Sequence, residues 1–144
     1  MGYHNWMAFQ NPSPAEIRAL LRSAKTIAVL GLSANAERPS FRVAQAMKGF
    51  GYRIIPVRPG QSEVLREKAY AGLADLPETP DVVDVFRASE HVAGIVDECI
   101  ALGVRNLWLQ EGVVDEVAAE KARAAGIFVV MDRCIWKEHR ALLP

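Results

Sequence analysis

Thr26-Ile27-Ala28-Val29-Leu30-Gly31-Leu32-Ser33 decides how the rest of the chain is read. Five consecutive residues are apolar or β-branched, and a glycine breaks the run. That is the pattern of a strand covered on both faces that ends in a tight turn. Just upstream, Ser13-Pro14-Ala15-Glu16 supplies an N-cap, a proline at the first helical position and a glutamate three residues past the cap. Ile17, Leu20, Leu21 and Ala24 share one face of the helix this predicts. Downstream, helical spacing returns from Ser40, with Val43, Ala44 and Met47 on one side, and stops at Gly49 and Gly51. Tyr52 to Val57 reads as a second strand, closed by Pro56 and Pro59.

The alternation continues to the end of the chain. A short strand or turn is expected near Lys68 to Tyr70, and a third main strand over Asp81 to Phe86. Ser89 reads as the cap of the next helix, whose stripe is Val92, Ile95, Val96, Cys99 and Ile100. Val104 to Leu109 is the fourth main strand. Val117, Ala118, Ala122 and Ala125 mark a helix ended by Gly126. Ile127 to Met131 is the fifth strand, and a terminal helix follows near Trp136 to Leu142. Strands alternating with helices imply right-handed crossovers. The expected fold is therefore α/β and Rossmann-like, a mostly parallel sheet of about five strands with helices on both faces. Residues 1–13 read as an extension and 14–144 as one domain, a size that suits the 144-residue chain.

Bulk properties exclude several classes of function. Acidic and basic residues balance at 17 each and 51% of the chain is hydrophobic, which argues against nucleic-acid coating or disorder. Met1 to Gln10 lacks the basic and apolar regions of a secretory signal, and no run suits a bilayer span. Two cysteines, Cys99 and Cys134, fit a reducing compartment, so a cytoplasmic protein is expected. His4, His91 and His139 are scattered without metal-ligand spacing, and no metal site is expected.

In an open parallel sheet the ligand crevice lies beyond the carboxyl ends of the strands. The loop after the first strand, Gly31-Leu32-Ser33-Ala34-Asn35-Ala36-Glu37-Arg38-Pro39-Ser40-Phe41-Arg42, runs straight into a helix N-terminus. Backbone N–H groups there favour an anion, and Ser33, Arg38, Ser40 and Arg42 can add donors. The plain alternative is an ordinary connection with Ser40 as a cap and the arginines solvated. A dinucleotide fingerprint needs three spaced glycines and this turn has one. Arg58 stands where nicotinamide-dinucleotide sites usually carry an acid, and would suit a phosphorylated ribose. Coenzyme A and NADP both carry one; the missing glycines favour coenzyme A. Gln110-Glu111-Gly112 either caps a strand and starts a helix or touches a ligand. Cys134, five residues before His139, could form a thiol and base pair, although a buried structural cysteine is the simpler reading.

Five blocks in order also carry a family resemblance: Gly31-Leu32-Ser33 through Glu37-Arg38-Pro39-Ser40, Gly51 to Val57, Asp81 to Arg87, Trp108 to Gly112, and Met131-Asp132-Arg133-Cys134. Together they resemble the stand-alone CoA-binding proteins, which are similar to the nucleotide-binding domain of the succinyl-CoA synthetase alpha subunit. The resemblance implies coenzyme A or an acyl-CoA as ligand and a phosphate cradle at Gly31, Leu32, Ser33, Ala34, Asn35, Arg38, Ser40 and Arg42. It puts the adenosine beside Val57 and Arg58, and lines the groove with Phe86, Arg87, Gln110, Glu111 and Gly112. The synthetase's phosphohistidine domain has no counterpart here, so a binding protein without the ligase reaction is expected. The remaining alternative is an NADP- or acyl-CoA-dependent enzyme with Cys134 as its reactive group. No nucleic acid or membrane partner is expected, and the oligomeric state is left open.

Overall fold

The computed structural model describes residues 8–144, and Trp6 lies outside them. Seven strands and five α-helices follow one another: α1 (Pro14–Ser23), β1 (Thr26–Leu30), α2 (Pro39–Gly49), β2 (Arg53–Val57), β3 (Glu63–Val64), β4 (Glu67–Lys68), β5 (Val82–Val85), α3 (Val92–Leu102), β6 (Asn106–Leu109), α4 (Glu116–Ala124), β7 (Phe128–Met131) and α5 (Ile135–Leu142). Five strands form one parallel sheet in the order β2-β1-β5-β6-β7, as the alternation predicts. Local periodicity does not give that order. The direction of travel across the sheet reverses between β1 and β5, and a crevice opens above their carboxyl ends.

Local chemistry explains several boundaries. The Ser13 hydroxyl accepts from Glu16 N–H and the Glu16 carboxylate accepts from Ser13 N–H, closing the capping box of α1. Leu65 and Arg66 both adopt positive φ, as a two-residue turn between β3 and β4 requires. Pro56 lies inside β2 rather than closing it, which an edge strand tolerates.

Ser89 differs from its expected role. It opens a short 3-10 turn, Ser89–His91, and makes no cap for α3, whose N-cap is His91. Its hydroxyl instead accepts from Val114 N–H at 2.9 Å, tying two loops above the sheet.

Side chains alternate between two cores. Ala28, Leu30, Val83, Val85, Leu107, Leu109 and Val129 pack under α3 and α4. Ile27, Val29, Ile54, Val82, Trp108 and Val130 pack under α1, α2 and α5. Burying each large aliphatic side chain contributes about 1.5–3 kcal/mol. The segment before α1 belongs to the body as well. Phe9 is buried in the α3–α4 core, and the Asn11 amide pairs with both backbone groups of Met131 on edge strand β7. That pairing shields an edge that would otherwise offer unpaired groups to another chain. Among the described residues no helix is long and apolar enough to cross a membrane.

Candidate functional site

Gly31 ends β1 with φ +81°, and a Cβ there would collide with the Phe86 carbonyl oxygen at the end of β5. Only glycine lets the two strand ends converge this closely. Above them lies a cleft of about 580 Å³, lined by Gly31, Ser33, Arg38, Pro39, Ser40, Val43, Arg58, Phe86, Gln110, Glu111, Val113 and Cys134.

The loop from Gly31 to α2 is built by its own short side chains. Ser33 N–H donates to Ser40 Oγ at 3.0 Å, Asn35 N–H to Ser33 Oγ at 3.0 Å, and Glu37 N–H to Asn35 Oδ1 at 2.9 Å. Ser40 therefore braces the loop from inside α2; the N-cap is Arg38, which gives no side-chain capping bond. The first-turn N–H groups of α2 are thus left without a side-chain acceptor, and the helix dipole points at the cleft. Arg58 reaches across to donate to the Gly31 carbonyl at 3.4 Å. Among the described residues none of Arg38, Arg58 and Arg87 is in an ion pair, so three guanidiniums border the strand ends without a carboxylate partner there.

The opposite wall is set by side chains that serve the fold. Buried Gln110 accepts the Ile135 N–H at 3.1 Å and so caps α5 from a distance, while α4 takes Asp115 as its own cap. The indole N–H of Trp108 donates to the Arg133 carbonyl at 2.8 Å. Asp132, at φ +59°, accepts from Gly112 N–H at 2.8 Å and fixes the β6–α4 loop. Glu111 pairs with Lys137 at 3.1 Å.

Of the residues read from sequence, Gly31, Ser33, Arg38, Ser40, Arg58, Phe86, Gln110 and Glu111 come together around this cleft. Leu32 and Val57 are buried in the two cores instead. Ala34 and Asn35 are exposed on the loop outside the lining, and Arg42 donates to the Glu37 carbonyl at 3.0 Å, staying on the outer side. Gly112 is spent on the Asp132 contact, and Arg87 faces a neighbouring hollow with His91. His91 shares that hollow with Phe86, Arg87 and Ala88 of its own loop and with Gly31, Arg58 and Pro59 from two other strands, and the second group carried no sequence signal towards it.

Cys134 is buried but borders the cleft. His139 is stacked on Phe50 at 4.1 Å between ring centroids. Phe50 caps the far end of α2, whereas Cys134 shares the cleft with Ser40 and Val43 near its start. Five residues of α5 separate Cys134 from His139, about 7.5 Å of rise and about 140° of turn, so His139 leaves the helix on another face and is not poised as a base for Cys134. Burial, with Glu98 adding to it, pushes the Cys99 thiol up to about 12, as its place on the α3 stripe demands.

Residues 25–140 match the CoA binding domain family. An uncharacterized Bacillus subtilis protein, YneT, is 42% identical over 130 residues, 90% of this chain and 96% of that one. A Thermus thermophilus protein solved as cell-free ID.343 superposes with a TM-score of 0.86 at 41% identity, covering 92% of this chain and 100% of that chain. Similarity also extends to acetate–CoA ligase (ADP-forming) II of Archaeoglobus fulgidus, 29% identical over 83 residues, 56% of this chain but 12% of the ligase. By the extent of these matches the chain belongs to the CoA binding domain family.

Proposed function

We propose that the cleft above β1 and β5 binds coenzyme A or an acyl-CoA. The diphosphate sits at the open N-terminus of α2, held by its first-turn N–H groups and by Arg38. The adenosine lies towards Arg58. The pantetheine arm runs past Phe86 and Gln110, and the thiol end approaches Val43, Val113 and Cys134. The observation that carries this reading is the group of unpaired guanidiniums at the switch point of a chain in the CoA binding domain family.

Isothermal titration of ligand-stripped protein with CoA, dephospho-CoA, NADP and NAD tests it. Micromolar binding of CoA, with weaker binding of the two nicotinamide nucleotides, is expected. Arg58→Ala should weaken CoA more than dephospho-CoA. Binding of NADP without CoA would replace this reading with a nicotinamide-dependent one.

A further inference from the structure

The crevice does not stop at Phe86. A second hollow of about 470 Å³ shares Gly31, Arg58 and Phe86 with the cleft and adds Pro59, Arg87, Ala88 and His91. Strand parity explains how the two adjoin. Phe86 follows Asp84 onto the α2–α5 face of β5, whereas Arg87 follows Val85 onto the α3–α4 face. The crevice therefore passes over the end of β1 from one face of the sheet to the other, with Gly31, Arg58 and Phe86 as the ridge between.

The two halves differ in charge. The cleft has one guanidinium of its own, Arg38, together with backbone N–H groups, and its lining includes the carboxylate of Glu111. The hollow has Arg87 and His91 of its own, shares Arg58, and has no carboxylate in its lining. Glu90, the adjacent acid in sequence, does not border it. Arg87 and His91 enter no ion pair among the described residues. A phosphodiester-like diphosphate suits backbone donors at a helix start. A terminal phosphomonoester carries about −1.5 to −2 charges at neutral pH and needs converging side-chain cations.

We propose that this hollow seats the ribose phosphomonoester of the ligand, with Arg87 and His91 joining Arg58 as its grip, and that these residues set preference for CoA over dephospho-CoA. Pro59 and Ala88 supply the apolar wall beside which the adenosine lies. The assignment rests on the reading of the cleft as a CoA site, and adds two specificity residues to it.

Arg87→Ala and His91→Ala, both at exposed positions, are titrated with CoA and with dephospho-CoA. Arg87→Ala is expected to weaken CoA about tenfold and His91→Ala about threefold, each leaving dephospho-CoA within about twofold of the unsubstituted protein. Equal losses for both ligands, or no loss for either, would overturn the assignment. So would an unsubstituted protein that binds both ligands equally well, although the CoA reading would then survive. Binding of neither ligand would remove both.

Discussion

The two faces of the sheet share five strands but not a chemistry. Towards α3 and α4 the inward residues are uniformly apolar, from Ala28 and Leu30 through Val83, Val85 and Leu107 to Met131. Towards α2 and α5 the layer holds Ser40, Asp84 and Gln110, the buried polar residues of the described chain, together with Trp108 and its indole hydrogen bond. Ser40 braces the loop under the cleft and Gln110 caps α5 beside it. Asp84 lies between Val29 and Trp108 in register, one pleat below Gly31, Phe86 and Gln110. A buried polar group costs about 1–3 kcal/mol unless it is paired. The molecule accepts that cost on one face, under its candidate site, while the other face supplies uninterrupted packing.

The largest test of this contrast is a cavity on the apolar face. Leu107 is buried under α3 and α4, away from the cleft lining. Leu107→Ala should cost about 2–5 kcal/mol in denaturant unfolding. Its CoA affinity, measured where the variant stays folded, should not move. A parallel fall in affinity would mean that the two faces are coupled and the division is wrong.

A smaller effect of opposite sign is expected on the polar face. One carboxyl oxygen of Asp84 has no hydrogen-bond partner among the described residues. Burial raises this carboxyl well above the usual 3.8 and favours its neutral form in the folded protein. The folded state then holds a proton that the unfolded chain releases. Stability from this group is full below the ordinary carboxylate value and is lost as pH rises towards the folded one. Asp84→Val should therefore stabilise the protein by about 1–3 kcal/mol at neutral pH. The advantage over the unsubstituted protein should widen from pH 4 to pH 7 by urea denaturation. An advantage independent of pH would show that Asp84 finds a partner in solution.

These residues also mark how far the chain can be read without its structure. The β1 run and the Ser13 capping box were legible because their determinants are local: five residues against two covering layers, and two side chains three positions apart. The cleft loops were legible because the crevice of an open parallel sheet lies beyond the carboxyl ends of its strands. Ser89 misled, since the group that takes its hydroxyl is 25 residues away at Val114. Asp84 could be placed in a strand, but strands buried on both faces read as nearly continuous apolar runs, which conceal which face a polar residue joins. His91 adjoins Arg87 and Ala88 along the chain, but Gly31, Arg58 and Pro59 join it only because strand order sets β2, β1 and β5 side by side.

The smallest expected effect probes the seam between α2 and α5. His139 stacks on Phe50, with an 11° angle between rings, and meets the Tyr52 ring edge-on at 5.7 Å. Tyr52 is itself anchored by its hydroxyl on the Leu21 carbonyl. Partial burial among these rings disfavours the imidazolium and lowers the His139 pKa from 6.5. The unfolded chain then binds a proton before the folded one does. Stability from this residue is present above the ordinary value and declines as pH falls through it. Because the ring is only partly buried, screening reduces the effect to about 1–2 °C in Tm between pH 7 and pH 5. His139→Gln should flatten that slope relative to the unsubstituted protein in thermal melts at the two pH values. An unchanged slope would place the pH response elsewhere and leave the α2–α5 seam as inert to protons as the α3–α4 core.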